Sequence, residues 1–313
     1  MQKLLFLFCV LGFLGCKNHS EEVEISNDWN LPYQAIAQSG DTLFSGLPDE
    51  KLSAQYLEKK KAFEKDPDSL ENLIWYGRFQ AYTGDYRKAI AIYSYGLEQF
   101  PNQPRLLRHR GHRYITVREF DKAIADLSLA AELIKDTENQ IEEDGMPNAQ
   151  NIPVSTLHGN IYYHLGLAYY LDRQLPKALE AFKSCLSTSN APDNVVSATH
   201  WIYMIQNRMG RKEAGDNYLR NIKPGMNVIE NTTYYQACLF YKGEIPLEEL
   251  YPFPTEESAS ISALKYAVGN WVWYNGNPQK GMEIFEEITK GNDWASFGYI
   301  AAETDLAKPY IQR

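Results

Sequence analysis

Between residues 70 and 103 the chain reads LENLIWYGRFQAYTGDYRKAIAIYSYGLEQFPNQ, with apolar residues recurring every three or four positions on either side of the polar turn TGDY. That period predicts two short helices, because a half-buried strand would alternate apolar and polar residues one by one. The next stretch, PRLLRHRGHRYITVREFDKAIADLSLAAELIKDT, repeats the pattern. Gly77 falls on Gly111, Tyr86 on Phe120 and Ala89 on Ala123, an offset of 34 residues. The small residues let two antiparallel helices approach closely, and the aromatic and leucine positions fill the space between them.

A third copy, GNIYYHLGLAYYLDRQLPKALEAFKSCLSTSNAP, keeps Leu165, Gly166, Tyr169, Ala178 and Phe182 in register, with Cys185 at the second-helix small position and the closing proline displaced to Pro192. The 34-residue period and the order of small and large residues resemble the tetratricopeptide repeat (TPR) family. The resemblance covers Leu70 to about Lys308, in three specific copies and three weaker ones. SATHWIYMIQNRMGRKEAGDNYLRNI keeps Ala214 and Tyr218, TTYYQACLFYKGEIPLEELY reads as one long helix and a stub, and ALKYAVGNWVWYNGNPQKGMEIFEEITKG recovers the motif at Gly269, Gly276 and Phe285.

This resemblance implies an all-α fold, one continuous α-solenoid of helix-turn-helix repeats over residues 49–313. Within it, 49–66 form a front cap helix, 70–137 two repeats, 138–158 an inserted loop, 159–192 the third repeat, 193–291 degenerate repeats and 292–313 a closing helix. The cap is needed because a stack of repeats otherwise ends in an open apolar face.

Ahead of the array, MQKLLFLFCVLGFLGC has one lysine, an apolar run from Leu4 to Leu14, and Gly15 before Cys16. The run is shorter than a bilayer-spanning helix needs, so residues 1–15 read as a signal peptide. FLGC resembles the bacterial lipobox, in which the cysteine is acylated and becomes the new N-terminus; Phe13 stands where Leu is commoner. Acyl chains on Cys16 would anchor the protein in the outer membrane, each buried CH₂ contributing about 0.8 kcal/mol. Residues 16–48 form a tether and N-terminal segment, polar and acidic at its start, KNHSEEVEISND. SEEVE resembles the acidic signal that exports lipoproteins to the cell surface in one group of Gram-negative bacteria, and DTL at Asp41 and DSL at Asp68 resemble a glycosylation acceptor there. A periplasm-facing and a surface-exposed location are both open.

Composition narrows the chemistry. The formal net charge is −9, which opposes a general nucleic-acid partner at long range. Phosphate-binding glycine loops, nucleophile elbows, zinc-protease helices and paired C-x-x-C motifs are missing from the sequence, so no enzyme activity and no cofactor is expected. His109 and His112 have the spacing of two metal ligands, but Arg105, Arg108, Arg110 and Arg113 crowd the same turns and oppose a cation, so no metal is expected. Glu142 and Glu143 read as solvated loop charge. Cys185 and Cys238 lie in apolar helical contexts and are expected as buried thiols.

Against that acidic background, RLLRHRGHRY from Arg105 to Tyr114 concentrates positive charge. On a helical wheel Leu107, Gly111 and Tyr114 share the packing face, while Arg105, Arg108 and His112 share a neighbouring face with Ile115. In the TPR family that second face lines the concave groove, and members that hold a peptide carboxylate place basic residues there. Carried over position by position, the resemblance assigns Arg78, Arg105, Arg108, His112, Asn160, Tyr163 and Tyr170 to a groove that is basic at its floor and aromatic on one side. The full Lys, Asn and Arg set of the carboxylate clamp is absent, so its chaperone-tail activity is not implied. Pairing with acids such as Glu71 accounts for the same arginines equally well. Arg110, where the repeat has Leu, is expected to make an internal salt bridge.

The inserted loop, ENQIEEDGMPNAQNIPVSTLH, is too long for an inter-repeat turn and carries two prolines, Asn148, Asn151 and apolar Ile152 and Val154, which suggests an ordered loop docked on the adjacent groove. Together these features lead us to expect an outer-membrane lipoprotein acting as an interaction scaffold or adaptor for a protein or acidic-peptide partner. The competing class is a ligand-binding lipoprotein that captures a small anion or acidic glycan in a loop-covered groove, and a hydrolase with an unrecognised site is a third. Cys16→Ser should release the protein from the membrane fraction without changing its helical circular dichroism. Retention after a high-salt wash would mean that another element anchors it.

Overall fold

The computed structural model describes residues 32–256 and 258–308. The signal peptide, Cys16, the SEEVE segment and residues 309–313 lie outside the described residues. Fourteen helices follow in chain order among the described residues: α1 (Glu50–Lys65), α2 (Leu70–Tyr82), α3 (Tyr86–Gln99), α4 (Pro104–Thr116), α5 (Phe120–Leu133), α6 (Leu157–Leu171), α7 (Leu175–Ser187), α8 (Pro192–Arg208), α9 (Lys212–Leu219), α10 (Thr232–Tyr241), α11 (Leu247–Leu250), α12 (Ala259–Tyr274), α13 (Pro278–Thr289) and α14 (Phe297–Ala307). Side chains that cap the first turns fix where they begin: Asp49, Ser69, Asp85, Thr156, Ser258 and Ser296 each accept a backbone N–H, and Pro104, Pro192 and Pro278 open α4, α8 and α13.

The helices stack in antiparallel pairs, α2 with α3, α4 with α5, α6 with α7 and α12 with α13, which makes the fold an all-α, TPR-like solenoid. In four of the pairs a glycine on the first helix faces a large side chain on the second: Gly77 faces Tyr93, Gly111 faces Leu127, Gly166 faces Phe182 and Gly269 faces Phe285. A Cβ at Gly77 would lie 2.4 Å from the Tyr93 ring, too close for any side chain. No described helix is long and apolar enough to cross a membrane.

Two segments depart from a simple array. Over its described part, the tether and N-terminal segment forms a short antiparallel hairpin, β1 (Ala35–Ile36) with β2 (Thr42–Leu43). Gln34 bonds Asp85, Ser45 donates to the Gly84 carbonyl, and Trp294 Nε1 donates to the Phe44 carbonyl at 2.9 Å, so the hairpin is held between the first repeat and the C-terminal end. The closing helix α14 does more than cap the last repeat. It packs on α12 and α13 and reaches across to α6, closing the superhelix on itself.

Three arginines make that closure. The turn inside each repeat needs one residue in the left-handed region, and Gly84, Gly210 and Gly276 supply it at φ 87°, 72° and 103°. In the second and third repeats the equivalent residues are Arg118 and Arg173, at φ 67° and 65°. A non-glycine residue there costs of order 1 kcal/mol. Both arginines aim at α14. Arg118 forks onto Glu303 at 2.7 and 3.2 Å and donates to the Thr116 and Trp294 carbonyls. Arg173 donates to Asp305 and to the Thr304 and Lys308 carbonyls, while Arg208, at the end of α8, forks onto the same Asp305 at 2.9 and 2.5 Å. Tyr266 adds an O–H donor to Asp305 at 2.9 Å. Burial alone would raise the Asp305 carboxyl, but Arg208 and Arg173 outweigh it and hold it below the usual carboxylate range.

Asp305 is 3% exposed, so removing its charge takes the carboxylate from the buried Arg208 and the partly buried Arg173. Asp305→Asn should lower the unfolding free energy by about 3–5 kcal/mol in chemical denaturation. A loss under 1 kcal/mol would show that the closure is not held by this cluster.

Candidate functional site

The inner face of α4 is where the repeat, the insertion and α14 meet. Arg105, on its first turn, forks onto Glu71 of α2 at the surface. One turn further, Arg108 approaches the Glu142 carboxylate of the insertion at 3.3 Å, and Asn160 of α6 donates to the same group at 2.8 Å. Arg108 also donates to Nδ1 of His109 at 2.8 Å, which places the imidazole proton on Nε2, 3.1 Å from Glu142 Oε1. From α2, Arg78 donates to the Glu143 carbonyl at 2.7 Å and stacks on Trp75, 4.5 Å from the ring centre. The insertion is pinned at its neck by Glu142 N–H to the Ser155 carbonyl and Leu157 N–H to the Gln140 carbonyl. It is therefore an ordered loop docked on the groove, and Glu142 is 7% exposed. Reading Glu142 as solvated loop charge was wrong: three basic or amide side chains from two repeats pull it inward. Burial alone would raise the Glu142 carboxyl; Arg108, His109 and Asn160 together hold it well below the usual range. Burial and the adjacent Arg108 push His109 down to about 3, so it is neutral.

Of the residues assigned from sequence, Arg78, Arg108 and Asn160 thus converge on the insertion, and Arg105 stands at the rim. His112 packs against His164 and Phe297, with ring centres 4.2 and 5.2 Å away. Tyr163 accepts from Trp201 Nε1 at 3.0 Å and donates to the Tyr234 hydroxyl at 3.0 Å. Tyr170 points instead into the core, 1% exposed, its hydroxyl 2.6 Å from that of Tyr266. The helical wheel places it on the groove side, but α12 folds back over that side and covers it. Arg110 makes the expected internal pair, forking onto Asp126 at 2.7 and 2.8 Å. Cys185 and Cys238 are buried free thiols.

Cavities open on this side among the described residues, two of them beside these side chains. One, of about 270 Å³, is a rim pocket of mixed charge, with Arg78 and Arg105 set among Glu71, Glu142 and Glu143 and beside Trp75, Gln140, Ile141 and Leu157. The other, of about 290 Å³, lies between the starts of α6 and α8, the segment leading into α10, and Phe297 of α14. Neither arginine nor lysine lines it, whereas Asp193 and Glu230 do, so its charge is opposite to that of the groove floor expected from sequence. Trp75, His109 and Glu142 at the first cavity, and Tyr234, Glu230 and Phe297 at the second, escape the repeat pattern. Only the unusual density of asparagine and acid in the insertion hinted at any of them.

No protein-family model and no curated protein matches the chain. Solved structures similar to it include YrrB, described as a TPR protein with an unusual peptide-binding site, at 14% identity over 74% of this chain and 91% of that one, with a TM-score of 0.42. MamA AMB-1 is 18% identical over 54% of this chain and 86% of that one, at a TM-score of 0.40. MamA MSR-1 is 17% identical over 55% and 84%, also at 0.40.

The buried Glu142 and His109 make the docked insertion sensitive to acid. Both groups bind fewer protons in the folded chain than in the unfolded one, so their stabilisation is complete at neutral pH. It is lost as pH falls, through the window from the ordinary histidine value of 6.5 down to about 3 for His109, with the Glu142 contribution lost below the ordinary carboxylate value of 4.5. The thermal midpoint should therefore drop steadily between pH 7 and pH 4. Glu142→Gln should cost roughly 3–5 kcal/mol at pH 7 by leaving Arg108 unpaired, and should flatten the part of that profile below pH 5. A pH-independent midpoint would refute this account.

Proposed function

We propose that the protein is an envelope lipoprotein, anchored in the bacterial outer membrane through Cys16, that works as an interaction scaffold without catalysis of its own. Its partner presents an acidic segment or a chain-terminal carboxylate to the arginines of the rim pocket. One observation carries this reading: the face that holds Arg78, Arg105 and Arg108 already receives carboxylates, Glu71 on Arg105 and Glu142 on Arg108, and keeps about 270 Å³ open beside them. A partner carboxylate entering there would exchange with Glu71, which is more than half exposed, and gain a charge-assisted fork from Arg105. Trp75 and the exposed Ile141 would take an apolar neighbour of that carboxylate. Arg108 and His109, sealed under Glu142, set the position of the loop that forms one wall.

Arg105 and Arg108 separate in this reading. Crosslinking in intact cells, followed by identification of the attached protein, should find a partner whose yield falls for Arg105→Ala and whose binding to that variant is less sensitive to salt. The thermal midpoint should hardly move, since an exposed ion pair contributes only about 0–1 kcal/mol. Should Arg105→Ala lose stability and keep its partner, the arginine is structural and the rim is not the docking site.

A further inference from the structure

The cavity beside Phe297 has a chemistry unlike the rest of this face. Its wall is aromatic, from Tyr163, Tyr234, Phe297 and the imidazole of His164. Its polar groups are left with unused capacity in a defined sense. Trp201 donates to Tyr163 and Tyr163 to Tyr234, so the relay ends at the Tyr234 hydroxyl, whose proton has no acceptor among the described residues. His164 is 2.6 Å from the Asn160 carbonyl through Nδ1, which puts its proton there and leaves Nε2 as a bare acceptor. Burial and the nearby Arg108 hold that ring neutral.

The two lining carboxylates differ. Asp193 is spent on structure, accepting the backbone N–H groups of Ile229, Glu230 and Asn231 at 2.8–3.0 Å ahead of α10. Glu230, exposed at the mouth, accepts from Asn148 of the insertion at 2.6 Å and makes no ion pair among the described residues. The Asp144 carboxylate stands beside it, with one buried oxygen lacking any partner. A carboxylate with no cationic partner, lining the cavity beside an aromatic wall, is half of an ammonium site: Glu230 supplies the charge partner and the rings a cation–π surface worth about 0.5–2 kcal/mol. A volume near 290 Å³ admits a compact ligand and excludes a folded partner.

We infer that this cavity binds a small hydroxylated primary amine. The ammonium donates to Glu230 and to Nε2 of His164 against the rings of Tyr234 and Phe297, and a ligand hydroxyl accepts from Tyr234. A quaternary cation lacks the N–H donors that the two acceptors require, and an anion meets Glu230 and Asp193 without a compensating arginine. The site is independent of the rim pocket, which offers Arg105 to a carboxylate.

Titration calorimetry on the intact, detergent-solubilised chain tests it with ethanolamine and D-glucosamine, against ethylene glycol and D-glucose as uncharged counterparts of similar shape. At least one amine should bind saturably, with a Kd of about 1 mM or tighter, and at least tenfold more tightly than its neutral counterpart. Glu230→Gln should weaken that amine roughly tenfold or more while the helical circular dichroism is retained. Because Glu230 also holds Asn148, Tyr234→Phe provides a second reading: it removes one hydroxyl donor and should weaken the amine about threefold with the insertion undisturbed. Equal binding of D-glucose and D-glucosamine would make this a neutral polyol site, and failure of both amines, or unchanged binding in both variants, would overturn the proposal outright.

Discussion

Everything on the concave side of this protein depends on two carboxylates, Glu303 and Asp305, buried on one turn of α14 and gripped by arginines from three successive repeats. A solenoid of this size has no intrinsic reason to close, since each repeat buries its apolar face against its neighbours and the inner surface is left to solvent. Here the inner surface ends in guanidinium groups at the turns, and a C-terminal helix with matching acids is drawn across them. Burying such charges is costly unless every partner is in place. The Thr116, Trp294, Thr304 and Lys308 carbonyls and the hydroxyl of Tyr266 complete the arrangement.

Closure has a second effect, on what the groove can hold. Phe297, at the start of α14, sits against His112, Tyr163 and His164, so a ring of the chain itself occupies the position where an open groove would admit a peptide. The insertion fills the next part, with Glu142 on Arg108. The inner surface is thereby divided into two small chambers, one lined by arginines as well as acids and the other by acids without a lysine or arginine. The rim chamber keeps its arginines because only Glu71 and the loop compete for them. The inner chamber turns acidic because the segment before α10 brings Glu230 to it and the nearest arginine is already neutralised by Glu142.

The hydrogen-bond relay from Trp201 through Tyr163 to Tyr234 links the repeat core to the inner chamber. Its members are held by packing on all sides: the Trp201 ring stacks on Phe182 at 5.7 Å, and His200 stacks on Tyr234 at 4.5 Å. The last hydroxyl is thus presented from a rigid support, which is the condition for a selective polar contact in a small cavity.

What the sequence determined by itself was the repeat: its helical period, its paired small and large positions, and hence the solenoid, because these are local constraints that each pair of helices must satisfy on its own. Arg110 with Asp126 was legible for the same reason, an ionisable residue where the repeat needs an apolar one. The position of the basic cluster on the inner face was legible too, but its partners were not. Arg118 and Arg173 carry a faint signal, arginine where the turn prefers glycine, yet nothing in their neighbourhood in sequence names Glu303 or Asp305, which lie more than a hundred residues away. Tyr170 and Glu142 show the same limit from opposite sides. A wheel gives the direction of a side chain, while its exposure depends on whether another segment arrives to cover it, and that was decided only when α12, α14 and the insertion folded back across the repeats.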